Sequence, residues 1–238
     1  AAAQGLFLTN NVAFIAINGL VGLSLAPFGW MATLPVMGYV VGGALSTPLV
    51  ARTQSRFGRR TSFQIGLLVA LASACVAAWA VADKNFWLLV AATVVAGYYS
   101  ANGQLYRFAA AELVPAPQRE KAVSMVLAGG LIGAIAGPNL AARSRSLLDV
   151  PFAGAYVVLA VVAIVAMVLM AFIRFPQNAV ATTGSSSGRP LREIMRQPVF
   201  MVACASAALG YGVMNLLLAA TPLEMQQCGL PFADEAFV

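Results

Sequence analysis

The sequence specifies an all-α integral membrane protein, and three observations carry that reading. Of 238 residues, 61% are apolar and 9% charged, against about 45–50% and about 25% in soluble domains. Mean hydropathy is +0.84, and only a helix bundle in lipid, whose exterior must be apolar, accommodates that composition. The apolar residues also come in runs near the ~20-residue length that crosses a bilayer core as a helix. Finally, the Lys and Arg residues gather in alternate breaks between those runs.

Seven runs qualify as spans, at roughly 6–27, 31–51, 61–82, 86–110, 121–142, 152–174 and 199–220. The first closes at Pro27. The second and third are separated by the basic stretch RTQSRFGRR, Arg52 to Arg60. Asp83-Lys84-Asn85 ends the third, and VPAPQRE, Val114 to Glu120, parts the fourth from the fifth. Asp149-Val150-Pro151 precedes the sixth. TTGSSSGRP, Thr182 to Pro190, has the composition of a flexible linker. LREIMRQP, Leu191 to Pro198, is expected to form a short amphipathic helix at the surface before the seventh run. The predicted organisation is a six-helix bundle over 1–174, a linker over 175–198, and a seventh helix with a following external segment over 199–238. The opening AAAQGLFLTNNVAF lacks an initiator Met and a charged lead, and reads as a first span whose start has been trimmed.

Charge predicts the orientation. Alternate breaks place Arg52, Arg56, Arg59, Arg60, Arg107, Arg119, Lys121, Arg174, Arg189, Arg192 and Arg196 on one side, and Lys84, Arg143 and Arg145 on the other. The positive-inside rule assigns the first group, and with it the amino end, to the cytoplasm. Glu224, Asp234 and Glu235 then lie outside. The net charge of +6 is topological, spread through short loops, so no nucleic-acid partner is expected. The expected partner is the bilayer.

Composition also removes several classes. There is no histidine, which excludes a Ser–His hydrolase and a His-ligated zinc site. Cys75, Cys204 and Cys228 are scattered, with no metal-ligand or disulfide spacing. No metal, cofactor or enzymatic activity is expected. A retinal-type receptor needs a lysine embedded in a span, and a channel needs a filter or charge rings; neither is present. No Asp or Glu lies deep in a span, so no proton-carrying carboxylate is visible.

Arg56-Phe57-Gly58-Arg59-Arg60 resembles the core of the signature G-x-x-x-D-R-x-G-R-R that major facilitator superfamily transporters carry between helices two and three. Ala51 stands at its first Gly and Ser55 at its Asp, so the charge relay associated with that Asp does not carry over. In the fifth run, Gly133-Ala-Ile-Ala-Gly137-Pro138-Asn139-Leu140-Ala141-Ala142 is similar to the family's G-x-x-x-G-P-x-x-G-G motif. Small residues four apart allow close helix packing in lipid, and Pro138 bends the helix. AAAELVPAPQREKA, Ala109 to Ala122, is similar to the family's loop between helices four and five. The arginine frequent in the family's helix four is absent, with Thr93 near its place. YRFAAAELV and AATPLEMQQCG are similar to a bacterial subgroup that includes proposed riboflavin transporters.

The resemblance implies a carrier of a small organic solute working by alternating access, built from two six-helix halves, in a bacterial inner membrane. This chain then supplies one half and helix seven, with Asn18-Gly19 and Gly212/Asn215 as loosely matching features of helices one and seven. The remaining half of the same chain would be its partner. A complete seven-span receptor or scaffold is the alternative.

Polar residues in the spans are the pathway candidates. Asn11 and Asn18, seven apart, share a face of the first helix and serve either a solute or a neighbouring helix. Tyr98, Tyr99, Asn102, Gly103 and Tyr106 fall within an arc about 140° wide at 100° per residue, with Arg107 at its edge. That arc suits stacking and hydrogen bonding to a flat polar solute, or interfacial anchoring with a snorkelling arginine. Tyr211 and Asn215 share a face of the seventh helix. Candidates for a conformational gate are Arg56, Gly58, Arg59, Arg60, Gly133, Gly137, Pro138 and Glu112, the last expected to pair with Arg59 or Arg60.

Overall fold

The computed structural model describes residues 1–144, 152–173 and 191–227. The predicted linker Thr182 to Pro190, the break at Asp149 to Pro151, and Arg145, Arg174, Cys228, Asp234 and Glu235 lie outside the described residues, as does the side chain of Arg192.

The described residues form helices α1 (Ala2–Leu25), α2 (Leu34–Ala82), α3 (Phe86–Gly103), α4 (Tyr106–Glu112), α5 (Arg119–Ser144), α6 (Ala153–Phe172), α7 (Leu191–Met195) and α8 (Pro198–Gln227), with short 3₁₀ turns at Gly29–Met31 and Ala116–Gln118. No strand occurs among the described residues. Among the described residues five helical segments are long and apolar enough to cross a membrane, one of them the 54-residue stretch Gly29–Ala82. That stretch is two crossings' worth of helix, since a bilayer core needs about 20 residues.

The basic stretch expected as a loop is almost wholly helical. Only Gly58 departs, with φ 80° and ψ 167°, a region that side chains disfavour and glycine enters freely. It divides α2 into an N-terminal arm and a C-terminal arm joined at an elbow. α3 starts where Asn85 caps it, its side chain accepting the Leu88 N–H at 3.1 Å.

The expected fourth span, 86–110, is not continuous: a turn at Gln104 and Leu105 separates α3 from α4. Two features account for it. Asn102 Nδ2 donates to the Tyr98 carbonyl at 3.1 Å, competing with the helix ladder. Gly103, a weak helix former, lies under the ring of Phe7, with no room for a side chain. α8 also runs further than expected, continuing past residue 220 to Gln227.

α1 is the axis of the bundle, packed against α5, α6, α2 and α8. Its meeting with α5 is backbone on backbone: a Cβ at Gly133 would lie 2.0 Å from the Gly5 carbonyl oxygen, and one at Gly137 2.9 Å from that of Thr9. The motif glycines are therefore spacers that let two helices touch. In the turn that Pro138 loosens, Asn139 Nδ2 donates to the Ile135 carbonyl at 2.9 Å. Buried apolar residues form two clusters along α1. One is built on Phe14, Ile17, Tyr39, Tyr156 and Leu159. The other, on the side of the elbow, is built on Phe7, Phe63, Leu67, Tyr99, Tyr106 and Met170.

Candidate functional site

The elbow at Gly58 brings the arginines to three different partners. Arg59 pairs with Glu112 at the end of α4. Arg60 Nη2 donates to the Ala171 carbonyl of α6 at 2.6 Å, and one turn on, Gln64 Nε2 donates to the Met167 carbonyl at 3.0 Å. Arg56 is exposed and lies over the neighbouring Phe57 ring at 5.4 Å. The C-terminal arm of α2 is thus stitched to α4 and α6 at its arginine end. Arg59 and Glu112 are 24% and 42% exposed, so water screens the pair and its worth to stability is within about 1 kcal/mol.

Ser55, at the position of the signature's Asp, only back-bonds to the Arg52 carbonyl at 2.9 Å. The tie across the elbow is made instead by uncharged groups. Tyr98 OH and Thr53 Oγ1 are 2.8 Å apart, and Thr53 Oγ1 is 3.1 Å from Ser62 Oγ. Ser62 Oγ donates to Asn102 Oδ1 at 2.9 Å. The bond from Asn102 to the Tyr98 carbonyl closes the ring. Thr53 stands before the elbow, Ser62 after it, and Tyr98 and Asn102 on α3, so four hydrogen-bonding residues lock both arms to a third helix.

The other polar candidates divide. Asn11 Oδ1 accepts from Tyr39 OH at 2.6 Å, and Asn18 Oδ1 accepts from Tyr156 OH at 2.9 Å. Asn18, with no exposure at all, also donates to the Phe14 carbonyl at 2.7 Å. Both asparagines therefore join α1 to neighbouring helices. Tyr99 and Tyr106 are buried, their rings edge-on to Phe7 at 5.4 and 5.8 Å. Arg107 is exposed and rests over Phe108 at 5.0 Å; the turn before α4 parts it from the arc on which a straight helix would place it. Asn215 is buried, with Nδ2 bonded to the Tyr211 carbonyl at 2.9 Å and Oδ1 without a partner among the described residues. Tyr211 is half-exposed.

Five participants were not singled out in the sequence: Thr53, Ser62, Gln64, Tyr39 and Tyr156. Thr53 and Ser62 had one usable signal, since they flank Gly58 at similar distances, one within the basic run and one just beyond it. Among the described residues no group of His, Cys, Asp and Glu side chains could hold a metal ion.

The family model of the Major Facilitator Superfamily matches residues 2–238. The chain belongs to the major facilitator superfamily. Among its superfamily relatives, the riboflavin transporter RfnT of Brucella anthropi is 34% identical over 229 residues, covering 94% of this chain and 56% of that protein. The uncharacterized transporter YddS of Bacillus subtilis, of the same superfamily, is 25% identical over 223 residues, covering 87% of this chain and 51% of its own length. The chain spans about half the length of these relatives. Its fold is similar to the crystal structure of a D-xylose–proton symporter, with a TM-score of 0.70 at 17% identity, covering 99% of this chain and 63% of that one. The arginine elbow and the Gly133 and Gly137 contacts with α1 lie within the matched residues.

Proposed function

We propose that this chain is part of a secondary transporter that moves a small organic solute by alternating access, and that a flavin is the first solute to test. The observation that supports the reading is the likeness to the riboflavin transporter, which extends over 94% of this chain. The aromatic and amide side chains of α1, α2, α3 and α8 suit such a solute, a flat ring system with a hydrogen-bonding edge. Tyr211 and Asn215 are the pathway residues on α8. Asn11, with Tyr39, is their counterpart across α1. Tyr98, Tyr99, Asn102 and Tyr106 shape the wall behind them, and Asn18 fixes α1 to α6. The side bearing the elbow arginines faces the cytoplasm of a bacterial inner membrane, and the remaining half of the carrier completes the path. Full-length protein in inverted and right-side-out vesicles is expected to take up radiolabelled riboflavin with saturation. Uptake no greater than in empty vesicles would remove the flavin assignment.

In this reading the Arg59–Glu112 pair and the Arg60–Ala171 tie close the cytoplasmic end of this half, and their release biases two rigid arrangements. Glu112→Gln is expected to leave thermal stability within about 1 kcal/mol of wild type, because the pair is screened. The same free energy shifts the ratio of outward- to inward-open states by up to about fivefold. Labelling of single cysteines placed on the two sides of the full-length protein reads that ratio. An unchanged ratio together with an unchanged transport rate would strike Glu112 from the gate.

A further inference from the structure

Five helices, α1, α2, α4, α5 and α6, converge at the arginine end around a cavity of about 90 Å³. Its walls include Gln4, Phe63, Tyr106, Leu113, Val126 and Met170. Most of this lining is apolar, but two of the lining residues carry a buried polar atom with no partner among the described residues: Gln4 Oε1 and the Tyr106 hydroxyl. Each residue is 6% exposed. One offers an acceptor and the other both a donor and an acceptor.

Among the described residues four other buried atoms also lack a partner, Gln54 Nε2, Ser73 Oγ, Tyr99 OH and Asn215 Oδ1, but none of their residues lines this cavity, and the buried asparagines of α1 and α3 are matched directly. Asn10 Nδ2 donates to the Leu159 carbonyl at 3.1 Å, and Asn11, Asn18 and Asn102 each have a direct partner on another helix. A polar group left unmatched in an apolar setting is costly, and two such residues lining one cavity point to a third component. Water enters a cavity when there is volume for it and two or more polar partners, and about 30 Å³ per molecule leaves room here for about three.

We infer that this cavity is a hydration site, holding a small water cluster between Gln4 and Tyr106 beneath the arginine stitches. The Arg59–Glu112 pair and the Arg60–Ala171 bond tie α2 to α4 and α6, which supply three of the five walls. The arginine end of the bundle is then its wet end, where helices are joined through exchangeable solvent. The level of Asn18 and Tyr156 is dry and directly bonded. This inference stands independently of the solute assignment.

Radiolytic hydroxyl-radical labelling of the full-length protein in lipid nanodiscs, in ¹⁸O-water and read by mass spectrometry, tests it, because radicals formed from bound water oxidise the adjoining side chains. Tyr106 and Met170 are as sheltered from bulk solvent as Tyr156 is, or nearly so, yet they are expected to label at least about fivefold faster if water lies against them. Val126→Phe fills the cavity and is expected to bring both down to the Tyr156 rate. Gln4→Leu, which removes the acceptor, is expected to lower them about threefold and serves if the phenylalanine variant does not fold. Labelling of Tyr106 at the Tyr156 rate in the wild type would show the cavity dry and overturn the inference. Fast labelling that neither variant reduces would trace it to opening of the bundle end, and would overturn it as well.

Discussion

Gly133→Ala is expected to destabilise the bundle severely, and Gly133→Leu to abolish recovery of folded protein. The added Cβ would sit 2.0 Å from the Gly5 carbonyl oxygen, 2.8 Å from its carbon and 3.0 Å from its Cα. All three are backbone atoms of a long helix, so no side chain can swing aside and α1 must move as a body. α1 is the axis on which α2, α6 and α8 also pack, so its displacement is felt through both apolar clusters. Overpacking a core typically costs about 1–3 kcal/mol, and a contact with backbone on both sides belongs at or above the upper end. Gly212→Ala on α8 is the matched control: nothing lies within 4 Å of a Cβ there, and the gain in helix propensity is at most about 1 kcal/mol. The two variants are compared by the fraction of monodisperse protein surviving a temperature series in detergent. Alanine tolerated equally at 133 and 212 would mean that α1 and α5 do not meet through these glycines.

The Gly133 contact was legible because it depends on spacing. Small residues four apart present one flat strip on a helix, and the rule needs no knowledge of the partner. The membrane class was legible for the same kind of reason, since composition and run length answer directly to the thickness of the bilayer. The division of α2 at Gly58 was only half legible. A basic stretch between apolar runs reads as a loop, yet the flanking residues are competent helix formers and one glycine suffices to turn the chain.

The break before α4 shows the opposite limit. An arc drawn at 100° per residue assumes an unbroken helix, and Arg107 was placed by that assumption. The Asn102 amide bonding its own helix and the Phe7 ring lying on Gly103 break it, and the second is a contact between residues 96 positions apart in sequence. The spacing of Asn11 and Asn18 suggested one shared face, but they bond two different helices, and their partners Tyr39 and Tyr156 lie 28 and 138 residues away. A lone tyrosine in an apolar run carries no sign of what it will meet. Local pattern therefore exposes which faces are polar, and long-range contact decides whether a polar face binds a neighbour or remains available.

Asn102→Leu is expected to give the second large loss, and it tests whether the uncharged ring at the elbow acts as a unit. Asn102 is wholly buried, and its flat amide lies against Gly66, where a Cβ would be 3.2 Å from its Cγ and Nδ2. Leucine has similar bulk but a branched tip, so it crowds the C-terminal arm of α2 while leaving Ser62 Oγ only its 3.1 Å contact with Thr53 Oγ1. Removing a partner of a buried polar group costs up to about 1–3 kcal/mol, although polar contacts between membrane helices average nearer 0.6 kcal/mol. Ser62→Ala alone strands Asn102 Oδ1 instead. In the double variant neither group is left wanting, so its loss is expected to be smaller than the sum of the single losses by about 0.5–1.5 kcal/mol. Thr53→Val detaches the N-terminal arm from the ring while leaving the Ser62–Asn102 bond in place, and is expected to alter the balance of open states more than the melting temperature. Additivity of Ser62→Ala and Asn102→Leu within about 0.3 kcal/mol would reduce the ring to independent contacts. Coupling, with a Thr53→Val effect on the open-state ratio, would make four neutral side chains the holdfast of an elbow whose signature position for a carboxylate is occupied by Ser55.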